Sequence, residues 1–325
     1  MNGKVNWGVL GTARIAKGCT IPGMQKAANA NLYAIAGRDA EKVKAYQEEF
    51  GFEKGYVGYD NLLADENVQA VYIPLTNDLH KEWVIKALRA HKHVLCEKPM
   101  ALNAADAREM FAVAKENGVL LMEAFAYLHG DYMKSLKQDV KSGVIGDVVY
   151  IDTAFVTQGY KTDFRLKKSL GGGMLYDLGC YCTTMILSLV DSDIEYARSV
   201  AEKTEEGVDA LAASIVKFKN GARASFDVGM ILGTESNARY DRLFIHGTKG
   251  DIKSEAEYNG AGELSYRIKV NGQESVKKLT VPQNYSLEIT QLGNCILNGE
   301  KPYVSEAFSV KNAELLDMLL ESIDF

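Results

Sequence analysis

Apolar positions in the first 124 residues fall in short continuous runs, separated by stretches with helical spacing. Val5–Leu10 is such a run, closed by Gly11; others are Asn31–Ala36, Ala70–Ile73, Val94–Glu97 and Val119–Ala124. Continuous apolar runs of four to eight residues suit strands buried on both faces. Between them, Ile15 to Ala30 reads as a helix and its exit. Asp39–Phe50 places Val43, Tyr46 and Phe50 on one face and stops at Gly51. Leu79–Ala90 carries Leu79, Trp83 and Ala87 at i, i+4 spacing, and Asn103 with Asp106 reads as a capped helix start running to Asn117-Gly118. Strand and helix in alternation predict a doubly wound parallel sheet of Rossmann type.

The rhythm changes after a helix that ends near Gly143. Val148–Val156, Ala210–Phe218, Ala222–Val228, Arg242–His246, Leu264–Val270 and Ser275–Val281 alternate apolar with polar, and short turns such as Lys219-Asn220-Gly221 join several of them. This predicts an α+β second half with a large, mostly antiparallel sheet buried on one face, interrupted by helices at about 174–190, 285–298 and 307–323. No repeat or proline-rich linker intervenes. The expected domains are 1–124 and 125–325.

At 325 residues the chain is long enough for two cores, and its net charge of −6 argues against nucleic acid as a partner. Its five cysteines (Cys19, Cys96, Cys180, Cys182, Cys295) show no C-x-x-C spacing and read as reduced thiols, with no metal site expected. Met1-Asn2-Gly3-Lys4 leads directly into the first strand, and no apolar run reaches the roughly 18 residues of a membrane span. The expectation is a cytoplasmic protein without a membrane partner.

Candidate chemistry begins where the first strand ends. Gly8-Val9-Leu10-Gly11-Thr12-Ala13-Arg14-Ile15-Ala16 fits G-x-G-x-x-G/A at Gly11, Ala13 and Ala16, with alanine at the middle position. The pattern offers a tight turn and a helix start suited to pyrophosphate, or simply an ordinary strand–turn–helix. At the end of the second strand, Gly37 stands where NAD enzymes commonly place a carboxylate, and Arg38 follows. A guanidinium there suits the extra phosphate of NADP(H). NADP(H) is therefore favoured over NAD(H), against the plainer reading of Arg38 as a solvated charge. Asp39 reads as the cap of the next helix.

Glu97-Lys98-Pro99 closes the fourth run, at the strand edge where ligands of parallel sheets sit. Lys98 there is a surface lysine or a group serving a reaction. In Gly171-Gly172-Gly173-Met174-Leu175-Tyr176-Asp177-Leu178-Gly179-Cys180-Tyr181, three glycines open a helix that carries Asp177 and Tyr181 four residues apart. The spacing puts carboxylate and phenol on one helical face. A phenol near an ammonium is a competent proton donor or acceptor, since the cation lowers its pKa. The plainer alternative is a core tyrosine and a capping aspartate.

Taken together, the segment Gly8–Ala16, Glu97-Lys98-Pro99 and the glycine–Asp177–Tyr181 run resemble the Gfo/Idh/MocA oxidoreductase family. So do Tyr72-Ile73-Pro74-Leu75-Thr76-Asn77-Asp78-Leu79-His80, Met122-Glu123-Ala124-Phe125 and His246-Gly247-Thr248-Lys249-Gly250. The resemblance implies catalytic roles for Lys98, Asp177 and Tyr181. It implies a cofactor contact surface of Gly11, Thr12, Ala13, Arg14, Ile15, Gly37, Arg38, Pro74, Leu75, Thr76, Asn77, His80, Glu97 and Lys98. Tyrosine at 181 is similar to the glucose–fructose oxidoreductase, dihydrodiol dehydrogenase and xylose dehydrogenase branch. That branch implies hydride transfer between NADP(H) and a carbohydrate-like alcohol, ketone or diol, and a homo-oligomer formed through the C-terminal sheet. Arg165 matches the branch pattern as a substrate or cofactor contact, or is a surface arginine on a loop. Tyr127-Leu128-His129-Gly130 departs from the family, which often has an arginine and a His-Pro pair there. Two alternatives stand beside this reading: a non-catalytic dinucleotide-binding regulator, and an enzyme whose tightly held cofactor serves sugar redox or glycoside cleavage.

Overall fold

The computed structural model describes residues 3–233, 238–254 and 258–325, which form two compact units. One runs through His129 and includes Pro282–Val310; the other comprises Gly130–Val281 and Lys311–Phe325.

The first unit holds six strands: β1 (Val5–Leu10), β2 (Ala30–Gly37), β3 (Lys54–Val57), β4 (Ala70–Ile73), β5 (His93–Glu97) and β6 (Leu121–Ala124). They pair in parallel, in the order β3-β2-β1-β4-β5-β6. Every residue of β4 is buried, as is β1 except Asn6, which is what continuous apolar runs predict for a sheet covered on both faces. The crossovers are α1 (Ile21–Lys26), α2 (Ala40–Phe50), α3 (Tyr59–Leu63), α4 (Asn77–Arg89) and α5 (Ala104–Glu116). Asp39 caps α2 by accepting from the Glu41 and Lys42 amides, and Asn103 caps α5 by accepting from Asp106, as their sequence positions predict. The sequence reading lacks β3 and α3. Lys54-Gly55-Tyr56-Val57 is a mostly exposed edge strand with no apolar run to betray it.

The second unit opens with α6 (Asp131–Lys141). It contains eight strands: β7 (Val148–Thr157), β8 (Ile194–Lys203), β9 (Asp209–Phe218), β10 (Arg223–Met230), β11 (Arg239–Gly247), β12 (Gly250–Ser254), β13 (Gly262–Val270) and β14 (Gln273–Val281). The order is β14-β13-β12-β11-β7-β10-β9-β8, antiparallel throughout except for β7 beside β10. One face buries Ile151, Thr153, Val216, Phe226, Ile245 and Tyr266. Its cover includes α6 and α7 (Cys180–Leu189), which pack on β14 and β7. The strand period puts Arg198, Ile215, Ser225, Asp152, Phe244, Lys253, Arg267 and Val276 in one register row on the other face. All five cysteines are free thiols, and among the described residues no helix is long and apolar enough to cross a membrane.

Residues 282–310, read from the sequence as part of the C-terminal domain, lie in the first unit. Their helix α8 (Asn284–Asn298) buries Ile289 and Leu292 and packs on α1. The close approach depends on Gly23, where a Cβ would lie 2.9 Å from the Tyr285 carbonyl carbon. Helix α9 (Glu306–Glu321) follows.

Helix α8 also brings a cost. Glu288 is fully buried, and neither carboxyl oxygen has a hydrogen-bond partner among the described residues. Burial, then the charge of Glu97, pushes its pKa well above the carboxylate range. A buried polar group without a partner costs about 1–3 kcal/mol. Glu288→Met, close in volume, should therefore stabilise the protein by about that amount at neutral pH. Urea unfolding of the two proteins checks this, and a lower midpoint for the variant would sink it.

Candidate active site

The order of the first sheet reverses between β1 and β4, and ligands of such sheets bind outside the carboxyl ends of the strands at that point. A cleft of about 290 Å³ lies there, lined by Gly11, Thr12 and Ala13 after β1, Arg38 and Lys42 after β2, Pro74, Leu75 and Thr76 after β4, and by Asp39, Tyr59 and Leu79.

Its floor is built by glycine. Gly11 adopts φ +122°, its amide donates to the Ala36 carbonyl at 2.8 Å, and a Cβ there would sit 3.1 Å from Leu75 Cδ2. The Tyr46 hydroxyl on α2 donates to the Thr12 carbonyl at 3.1 Å and pins the turn. The chain is then helical from 14 to 26, but Ala16–Thr20 is wound wide, with the Ile21 amide bonding back to Ala16. The sequence predicts an ordinary helix here; such wide turns often mark functional sites.

At Gly37 a Cβ would come within 2.8 Å of Val43 Cγ2 and 3.4 Å of Thr12 Cγ2. A side chain there would require Val43 to shift, and glycine leaves this strand end without a carboxylate. Beside it, Arg38 and Lys42 give the cleft two cations. Burial raises the Tyr59 pKa, while the charge of Arg38 and a hydrogen bond from it pull the other way. The residues present fit a dinucleotide with an additional phosphate.

Several expected contacts stand differently. Arg14 and Ile15 are exposed on the first helical turn. Asn77 and His80 are buried, and the His80 ring nitrogens face the carbonyl oxygens of Pro99 at 2.9 Å and Leu75 at 3.0 Å. A neutral ring donates to one of these two carbonyls. Burial lowers its pKa against the pull of those two carbonyls. Glu97 is also buried; it accepts from the Tyr72 hydroxyl at 2.5 Å, which accepts in turn from Thr20 at 2.9 Å. Half-buried Lys98 precedes a cis Pro99. Glu123 accepts from the Met100 amide at 2.9 Å. Burial pushes its carboxyl up to about 7, despite the nearby Lys98 charge. Tyr127, Leu128 and His129, where the chain departs from the family pattern, are buried against α8.

In the second unit the glycine run shapes a loop. Gly173 donates to the Arg165 carbonyl at 2.9 Å, and a Cβ at Gly172 would lie 2.5 Å from that same oxygen. Leu175–Gly179 is wound wide before α7 begins, again where a regular helix is expected. Asp209, at the start of β9, accepts from the Leu175 amide at 2.6 Å and secures this helix start. Burial raises the Asp209 carboxyl to about 6, although backbone amides stabilise its anion. Asp177 accepts from Arg165 Nε at 2.6 Å, and Arg165 also donates to Asp163 at 2.9 Å. Arg165, expected near substrate, thus engages the candidate carboxylate. Burial opposes its charge, but Asp177 and Asp163 raise its pKa on balance. Tyr181 packs against Phe155 and Tyr258, with ring centroids at 5.4 and 5.7 Å, and its hydroxyl oxygen accepts from Asn259 Nδ2 at 3.2 Å.

The Gfo/Idh/MocA family description, "Oxidoreductase family, NAD-binding Rossmann fold", matches residues 5–125, and the C-terminal domain of that family matches 133–253. The chain belongs to the Gfo/Idh/MocA oxidoreductase family. It is an NAD(P)-dependent oxidoreductase. It is 30% identical to a trans-1,2-dihydrobenzene-1,2-diol dehydrogenase of Xenopus tropicalis and 31% identical to a D-xylose 1-dehydrogenase (NADP(+)) of Haloferax volcanii, each over 98% of this chain and 97% of the relative. A 3-ketoreductase from Actinomadura kijaniata, solved with NADP and TDP-benzene, superposes with a TM-score of 0.91 at 27% identity, covering 99% of this chain and 98% of that one. Forms of that reductase with one lysine substituted are also solved with NADP and TDP-benzene.

For a Gfo/Idh/MocA chain, the motifs carry the backbone cradle and the candidate catalytic groups. They do not point to Lys42, Tyr59, Asp209 or Asn259, which come from other segments and lack motif spacing. Only the i, i+4 step from Arg38 to Lys42, on a helix start already recognised, could have singled one of them out.

The raised Glu123 carboxyl has a signed consequence. Its folded pKa of about 7 lies above the ordinary 4.5, so its stabilising contribution is present below pH 4.5 and is lost as pH rises through 7. Glu123→Gln keeps an acceptor for Met100 and removes the titration. The wild type should lose on the order of 2–3 kcal/mol across that window that the variant keeps. Melting curves at pH 5 and pH 8 test this, and parallel pH dependences in the two proteins would contradict it.

Proposed function

We propose that this enzyme transfers hydride between NADP(H) and a carbohydrate-like alcohol, ketone or diol. The observation that carries the cofactor choice is the cleft at the end of β2: Arg38 and Lys42 line it, and Gly37 stands where a carboxylate would favour NAD(H). The substrate class is supported by the names of the relatives, which act on a diol, a pentose and a dTDP-sugar.

When bound, the nicotinamide supplies or accepts the hydride. In this reading the Gly11–Ala13 backbone and the adjoining helix start hold the pyrophosphate, and Arg38 with Lys42 hold the additional phosphate. Tyr181 exchanges the proton of the reacting hydroxyl through its Oη. Lys98 takes the catalytic role that the family resemblance implies for it. Asp177, held by Arg165, fixes the substrate. We also propose that a second copy of the chain covers the open face of the eight-stranded sheet, where Val200, Ile215 and Val276 are 72%, 51% and 51% exposed among charged neighbours.

Three outcomes are expected. NADPH should bind more tightly than NADH, and Arg38→Ala or Lys42→Ala should each narrow that preference about 10–100-fold, the worth of one charge-assisted phosphate contact. Fluorescence titration with both nucleotides tests this, and tighter NADH binding by the unaltered protein would overturn the cofactor choice. Lys98→Met should lower kcat by about 100-fold or more while leaving NADPH affinity nearly unchanged; stopped-flow turnover of sugars, diols and their ketones decides, and a near-normal rate removes Lys98 from the mechanism. Ile215→Glu should convert an oligomer to monomers in sedimentation, and an unaltered protein that is monomeric ends the oligomer proposal.

A further inference from the structure

We propose that Asn259 is a positioning residue that sets the acidity of Tyr181 by donating its amide N–H to the phenol oxygen. The inference rests on the reading of Tyr181 as the proton-transferring group and extends it to a residue outside the family motifs.

The argument starts from the surroundings of the phenol. Tyr181 is 8% exposed. Its ring packs against Phe155 of β7 and against Tyr258, which stack on each other at 5.2 Å and 6°. The neighbouring rings take the place of water around the phenol, so a hydrogen bond to its oxygen carries more weight. Among the described residues of the second unit, charged groups beside this stack are held by partners. Arg239 lies over the outer ring of the stack, 4.2 Å from the Phe155 centroid, and pairs with Asp241 at 2.6 Å. The Tyr258 hydroxyl is shared with Thr153 at 2.6 Å and Cys182 at 3.5 Å. Burial raises the Cys182 thiol to about 12, so it stays neutral in the working range. On Tyr181's own helix, the Asp177 carboxylate is held by Arg165.

Against this background Asn259 Nδ2 lies 3.2 Å from the Tyr181 oxygen. A carboxamide suits the task better than a charged donor. It does not titrate, so it donates to phenol and phenolate alike and does not compete for the proton that Tyr181 must pass. As charge develops on Oη the bond becomes charge-assisted and strengthens, which favours the anion when it is needed. It also helps to fix the tilt of the ring.

The test reads the phenol directly. Ultraviolet difference titration of the protein against its Tyr181→Phe variant isolates the ionisation of one tyrosine among the 17 in the chain. Repeated in an Asn259→Leu background, the titration should move up by about one pH unit, as expected for loss of one hydrogen bond to a charged form. Asn259→Asp, a second variant that puts an acceptor and a negative charge at the same place, should move it further. Asn259→Gln should restore part of the shift. With D-xylose and NADP+ as probe reactants, the low-pH limb of kcat should move with the titration while KM stays within about twofold. An unchanged tyrosine titration in both Asn259→Leu and Asn259→Asp overturns the proposal. Full turnover by Tyr181→Phe would instead remove Tyr181 from the chemistry, while the titration still reports whether Asn259 governs the phenol.

Discussion

Backbone amides and carbonyls that leave a sheet into a buried turn must still find partners, and both candidate sites are organised around meeting that demand. In the first unit the Gly11 amide closes on Ala36, the Tyr46 hydroxyl on the Thr12 carbonyl, the Met100 amide on Glu123, and the His80 ring donates to one of the carbonyls of Leu75 and Pro99. In the second, Asp209 takes the Leu175 amide and the Arg165 carbonyl takes the Gly173 amide. Each pairing fixes a turn whose remaining groups are then free to face a ligand. The ionisable residues recruited for this work are buried, which is why the Glu123 and Asp209 pKa values are raised.

The two wide-wound segments belong to the same picture. Ala16–Thr20 follows the dinucleotide turn and Leu175–Gly179 contains Asp177. A wide turn inserts extra backbone into a helix without breaking it, so the residues on either side change their relative bearing. Asp177 and Tyr181, which a regular helix would present on one face, engage Arg165 and Asn259 respectively.

The architecture was legible wherever burial wrote a period into the chain. Fully covered β1 and β4 appear as unbroken apolar runs, the half-covered β9 and β10 alternate, and the Asp39 and Asn103 caps stand where the helices begin. What failed to register was exposed or local. Edge strand β3 shows no apolar pattern, β8 carries Glu195, Arg198 and Glu202 on outward or terminal positions, and the short β12 begins at the last residue of the His246–Gly250 motif. Of the candidate site, Gly11, Ala13 and Arg38 were readable because they follow strand ends, and the Pro74–Thr76 turn only through the family resemblance. His80 and Glu97, expected at the cofactor from the resemblance, are buried beside the Leu75 and Pro99 carbonyls and the Tyr72 hydroxyl. Asp209 and Asn259 were invisible, since nothing in their own segments signals the distant groups they serve.

The return of residues 282–310 to the first unit bears on how the protein is made. A ribosome that has just released residue 129 has supplied all six strands of the parallel sheet but not α8, whose Ile289 and Leu292 complete the packing beside α1. The nucleotide-binding unit therefore cannot finish folding as its first half emerges. It must wait, with an apolar flank uncovered, while more than 150 further residues are translated. A chaperone that shields that flank has its natural moment of action in this interval, and a message truncated before α8 yields a sheet with no means of closing its own core.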